Sequence, residues 1–202
     1  MPVEPVMPQP TLSDEHYEAL LATCDVRTWI GKRDRAILTA FESTGCRVSE
    51  LAAFRVGDVD LQTAEILVRE PKRDRSGLAR MRYVYLNDLA TIALASWMRV
   101  RESGAHDDSL WLASNGDRLT SNGIQQMLRR RGERLGIVVS AHPFRRRLAT
   151  KWLLDGGSEA GLKKMGGWQS SIMPSRYAAA GLAEIARADH ARIFGSRRDR
   201  PR

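Results

Sequence analysis

Cysteine is nearly absent from this sequence: Cys24 and Cys46 are the only two in 202 residues. Two thiols make no disulfide framework, and both sit in apolar, helix-like stretches, so they read as reduced, buried side chains. Long apolar runs are missing too, and no stretch approaches the roughly 18 residues that a membrane span needs. The start, MPVEPVMPQP, lacks the basic-then-apolar order of a secretion signal, which points to the cytoplasm. The histidines (His16, His106, His142 and His190) are scattered without metal-ligand spacing. There is no GxxxxGKS or GxxxxGKT loop and no carboxylate cluster suited to two metals, so neither a nucleotide nor a metal cofactor is expected. Lysine is scarce: of 32 basic residues only Lys32, Lys72, Lys151, Lys163 and Lys164 are lysines.

What is plentiful is positive charge. A net charge of +8 and a pI near 10.1 call for a polyanionic partner, and nucleic acid is the commonest. The densest block runs from 129 to 151, where Arg129, Arg130, Arg131, Arg134, Arg145, Arg146, Arg147 and Lys151 face one acid, Glu133. One sign dominates and apolar residues interleave, as on a phosphate-facing surface.

The pattern along the chain is mainly helical with one small β-hairpin. Residues 1–11 hold four of the eight prolines and read as a flexible leader. Ser13 caps a first helix bearing Leu20 and Leu21. A second runs from about Lys32, with Ile37, Leu38 and Phe41 inward, to Gly45. A third, short one carries Val48, Leu51 and Ala52. The period then changes, and 64–69 and 81–86 read as strands joined by the basic loop PKRDRSGLAR. Asn87 caps the next helix, and Thr120 or Ser121 caps another that reaches about Leu135. A helix over 143–155 closes at Gly156 and Gly157, with Ser140 or His142 as its cap. Further helices are expected at 158–165, 171–180 and 182–193.

Two local arrangements suit anion chemistry. Arg47 and Glu50, three apart on a helix, share a face; alone this is a surface ion pair, and with a phosphate nearby it is an arginine oriented by a carboxylate. His142 and Arg145 in HPFR flank a helix N-terminus, where free N–H groups favour an anion.

TGCRVSEL, a basic hairpin with a single lysine, HPFR, GGW and a tyrosine nine residues later follow one another in that order. Together they resemble the tyrosine recombinase (phage integrase) family, over residues 12–180. The resemblance implies that family's catalytic-domain fold, with 181–202 as a C-terminal helix and basic tail that docks on a neighbouring protomer. It makes Arg47, Lys72, His142, Arg145, Trp168 and Tyr177 the catalytic set and Glu50 a support for Arg47. Arg73, Arg75, Arg129, Arg130, Arg146 and Arg147 are the expected DNA contacts. Trp168 stands where most members have histidine, and Arg146-Arg147 stand where they often have His-Thr. The implied partners are double-stranded DNA, further copies of the chain in a DNA-bound tetramer, and an accessory DNA-bending protein.

The implied reaction is site-specific recombination through a 3′-phosphotyrosyl link. Two arginines suit a phosphate that gains charge, because guanidinium stays protonated and offers a planar fork. A phenol with an ordinary pKa of about 10 needs a base or cationic surroundings, and His142 is the candidate base. A lysine can protonate the leaving 5′-oxygen, which arginine does poorly. Two other classes share part of this pattern: a type IB topoisomerase, which the motif order disfavours, and a regulatory DNA-binding relative, which the intact residue set disfavours.

Overall fold

The computed structural model describes residues 12–73, 79–101 and 108–168, together with 187, 189–191, 193 and 195. The described residues from 12 to 148 belong to one compact unit, and those from 149 onward to a second.

In the first unit, α1 (Asp14–Ala22) starts where the Ser13 hydroxyl accepts the His16 N–H, with Asp14 and Glu15 in its first turn. Next comes α2 (Trp29–Thr44), which is buried along most of its length. It begins three residues before the expected Lys32, because Thr28 is a working cap that accepts the Gly31 N–H at 3.0 Å. It stops at Gly45, whose φ of +58° is left-handed backbone that glycine adopts without a Cβ clash. The short α3 (Val48–Ala52) follows after two residues.

A single 3-10 turn (Val56–Asp58) leads to β1 (Val59–Asp60), β2 (Glu65–Arg73) and β3 (Ala79–Tyr85). The sheet is antiparallel in the order β1-β2-β3, so the expected hairpin gains a two-residue edge strand too short to show a period in the sequence. Ile66 pairs with Val84 and Val68 with Arg82, which puts these four on the inward side. Asn87 caps α4 (Asp88–Val100), and Thr120 rather than Ser121 caps α5 (Ser121–Glu133). The next helix, α6 (Ala141–Leu154), begins two residues earlier than expected, leaving Ser140 just before its first turn.

The core gathers Ile37, Leu38, Phe41, Leu94, Trp97, Trp111 and Phe144, all fully enclosed. Each such side chain contributes roughly 1.5–3 kcal/mol through burial. The indoles satisfy their N–H groups inside: Trp97 donates to the Leu110 carbonyl and Trp111 to that of Leu51. Arg131 does not face phosphate with the rest of its block. It turns inward and shares Asp34 with Arg33, all three buried.

In the second unit, Ser158 caps α7 (Glu159–Gly166), and Gly167 ends it in left-handed backbone. Trp168 is buried and lies so close over Gly166 that a Cβ there would sit 2.5 Å from its ring. The expected helix at 171–180 lies outside the described residues. Of 182–193, the described residues 187, 189–191 and 193 are helical. Among the described residues no helix is long and apolar enough to cross a membrane.

Candidate active-site cleft

The turn between α2 and α3 delivers Arg47. Gly45 reverses the chain, and Arg47 becomes the cap residue of α3 in extended backbone. One turn on, Glu50 reaches back: its Oε2 accepts the Arg47 backbone N–H and its Oε1 accepts from the Arg47 guanidinium, both at 2.8 Å. The i,i+3 pair is therefore no loose surface contact. Glu50 is buried, and a second arginine, Arg82 of β3, grips it at 2.8 and 3.2 Å. Burial pushes the Glu50 carboxyl up, but hydrogen bonds and charge from Arg82 and Arg47 outweigh it and hold the pKa below the ordinary carboxylate value. Arg82 belongs to none of the sequence motifs. The signal was its place two residues before the inward-facing Val84, since an arginine on the buried side of a strand needs a carboxylate partner.

The Arg47 guanidinium stays half exposed (49%), and beyond Glu50 it makes no other hydrogen bond among the described residues. Arg145 is buried on α6 and donates to the Gly45 carbonyl oxygen at 2.7 Å. Both arginines line one cleft of about 530 Å³, together with Val48, Asn122, Gln125, Arg129, Val138 and His142. His142 is exposed on the first turn of α6. Partial burial, then the charges of Arg146 and Arg145, hold its pKa below the ordinary imidazole value. At neutral pH it is an uncharged imidazole able to take a proton. Beneath the cleft the Cys46 thiol is fully enclosed, and burial raises its pKa to about 11, which keeps it unreactive.

The structure thus brings Arg47, Glu50, His142 and Arg145 together. Arg129 stands exposed on the cleft wall, with a 3.5 Å contact to Glu133, while Arg130 faces a separate hollow. Arg146 is half-buried. Arg147, expected as a DNA contact, has a side chain only 14% exposed, bonded to Glu42, to the exposed Asp14 and to the Leu12 carbonyl. Lys72 and Arg73 belong to β2, but their side chains, like Arg75 and Tyr177 altogether, lie outside what is described. Trp168 is described only within the second unit. Among the described residues no three His, Cys, Asp or Glu side chains converge as a metal site.

The model of the phage integrase family matches residues 10–183. Among curated proteins, tyrosine recombinase XerC of Oceanobacillus iheyensis is 30% identical over 167 residues, which cover 79% of this chain and 53% of that protein. XerC of Roseiflexus castenholzii is 34% identical over 131 residues, covering 61% and 40% respectively. The chain spans about half the length of the curated relatives it matches. Among solved structures, XerA recombinase superposes with a TM-score of 0.79 at 27% identity, covering all of this chain and 67% of that one. The Tn1549 transposon integrase in complex with transposon right end DNA shares the fold at a TM-score of 0.74 and 18% identity, covering 95% and 69%.

Proposed function

This chain belongs to the phage integrase family, and from that premise we propose that it cuts and rejoins DNA strands as the catalytic part of a site-specific tyrosine recombinase. The observation that carries the reading is the pair of arginines fixed at one cleft: Arg47 locked by Glu50, and Arg145 locked to the turn that presents Arg47.

A scissile phosphate in this cleft meets two permanent cations. Attack builds charge on its non-bridging oxygens, and each well-placed donor to such charge contributes about 3–4 kcal/mol. The Tyr177 phenol is the nucleophile and passes its proton to neutral His142. As the Tyr177–phosphorus bond forms, the bond to the 5′-oxygen breaks, and Lys72 protonates the departing oxygen to leave a free 5′-hydroxyl. The Trp168 indole cannot transfer a proton; its N–H can only donate a hydrogen bond to the phosphate or buttress the site. The 3′-phosphotyrosyl link keeps the bond energy, so a 5′-hydroxyl from another strand displaces Tyr177 without a cofactor. The substrate is double-stranded DNA in the cytoplasm, bound by four copies of the chain, with an accessory DNA-bending protein shaping the site. Arg129, Arg130, Arg146, Arg73 and Arg75 supply backbone contacts, which position the duplex and carry no sequence information.

Arg145→Lys is the direct test of the clamp. A point charge cannot reproduce the planar fork, so DNA affinity should persist while covalent joining to DNA is lost. Near-normal cleavage in that variant would remove Arg145 from the mechanism.

A further inference from the structure

Arg147 has no part in that chemistry, yet it is among the most heavily bonded side chains in the first unit. Its Nε donates to Glu42 Oε1 at 2.7 Å, one terminal nitrogen donates to the Leu12 carbonyl at 3.1 Å, and the other pairs with Asp14. Its guanidinium also stands 5.2 Å from the centroid of the Tyr17 ring. These partners come from two elements besides its own. Leu12 leads into α1, whose first turns carry Asp14 and Tyr17, and Glu42 lies near the end of α2.

An aromatic layer joins the same three helices. Tyr17 meets Phe144 edge-on at 6.3 Å, and Phe144 stacks on Phe41 at 5.6 Å. Each helix therefore gives the junction one ring and one charged group: Tyr17 and Asp14, Phe41 and Glu42, Phe144 and Arg147. In α1 and α6 the two are three residues apart, on one face. The rings alone allow helices to slide, because stacking is tolerant of offset. The guanidinium fork does not, because its donors must meet separate oxygens at fixed angles. Arg147 lies two residues beyond Arg145, and Phe144 immediately precedes Arg145. Where this junction seats α6, it seats the second arginine and, one turn earlier, His142.

We infer that Arg147 is a positioning residue for strand cleavage, which sets the register of α6 against α2 and the head of α1 and so aims Arg145 and His142. The inference rests on reading the cleft as a DNA-cleaving site. It also ties residues 12–14 to the helix that carries Arg145 and His142.

The test uses the full chain and its Arg147→Met and Arg147→Lys variants with supercoiled plasmid carrying DNA of the source organism. It compares DNA affinity, the rate of covalent adduct formation at saturating DNA, and the titration of His142 by NMR. Arg147→Met should slow adduct formation by about tenfold to a hundredfold, as sub-ångström to ångström misplacement does, with DNA affinity little changed. Arg147→Lys keeps the charge and can hold one carboxylate, so it should recover only part of the rate. In both variants His142 should titrate closer to the ordinary imidazole value as the first turn of α6 opens to water, the lysine variant controlling for lost charge. An unchanged rate in folded Arg147→Met overturns the inference. So does a loss of DNA affinity that accounts for the whole effect, which would make Arg147 a phosphate contact. Should Arg147→Met not fold, Glu42→Gln must show the same slow step, and a normal rate there overturns it equally. If the unaltered chain forms no adduct, the cleavage reading fails, while the His142 titration still reports whether Arg147 seats the helix.

Discussion

The Arg145 guanidinium donates to the carbonyl oxygen of Gly45 at 2.7 Å, two residues before Arg47. The two arginines of the cleft are thus one mechanical unit, although a hundred residues separate Arg145 from the carbonyl it holds. A shift in the turn after α2 moves both. Glu50, held from the other side by Arg82, extends the unit into the sheet.

Gly45 is the point where that unit is most fragile. Its φ is +58°, and a Cβ would lie 2.6 Å from Leu148 Cδ2. Left-handed backbone at a non-glycine residue costs on the order of 1–3 kcal/mol, so Gly45→Ala should lower stability by about that much and impair cleavage further by displacing Arg47. Urea unfolding measures the first effect; an unchanged midpoint would show that the turn relaxes freely.

Removing Glu50 takes away the buried carboxylate that Arg82, whose side chain is only 8% exposed, grips at 2.8 and 3.2 Å. Breaking such a buried pair costs about 3–5 kcal/mol, and Glu50→Ala should be destabilised accordingly. The pH dependence follows from the lowered pKa of Glu50. A carboxylate held lower in the folded than in the unfolded chain stabilises fully above the ordinary carboxylate range. That stability fades as the pH falls through this range to the folded value. Acid unfolding curves of the wild type and Glu50→Gln should therefore converge at low pH and separate towards neutrality. Parallel curves would mean that the charge of Glu50 contributes nothing.

His142 should remain uncharged to lower pH than a free imidazole, because partial burial and the cations Arg146 and Arg145 oppose its protonation. The adduct rate should hold steady on acidification through the ordinary histidine range and fall only beneath it. Arg146→Ala should raise the His142 pKa, as read by NMR of the imidazole protons. A downward movement would reverse the assigned cause.

The Tyr17 hydroxyl is buried and has no hydrogen-bond partner among the described residues, and burial raises its pKa strongly, with Glu42 adding to the effect and Arg147 opposing it. An unsatisfied buried polar group costs about 1–3 kcal/mol. Tyr17→Phe keeps the ring over which Arg147 sits and should raise the thermal midpoint. A lowered midpoint would show that the hydroxyl is bonded in solution.

Much of this was legible in the residues. Ser13, Gly45 and Asn87 mark helix ends through local chemistry, and the strand period exposed β2 and β3. Most of what the sequence hides depends on partners far along the chain. The Thr28 cap is the local exception, because Trp29, Ile30 and Gly31 carry no helical apolar period. Arg131 and Arg147 looked like members of a basic surface because the acids that bury them, Asp34 and Glu42, lie about a hundred residues away. Arg82 was hidden for the same reason, its carboxylate lying in α3. Charge counted along a sequence cannot separate an arginine facing phosphate from one facing the core.

The proposed reaction at the cleft is covalent joining of Tyr177 to DNA. The decisive measurement incubates the chain and its Tyr177→Phe variant with supercoiled DNA of the source organism, quenches with SDS, recovers protein-linked DNA and sequences the ends. Adducts at a defined site that vanish in Tyr177→Phe, while DNA binding persists, are the predicted result. Adducts that survive the substitution, or binding by the unaltered chain without any adduct, would contradict it.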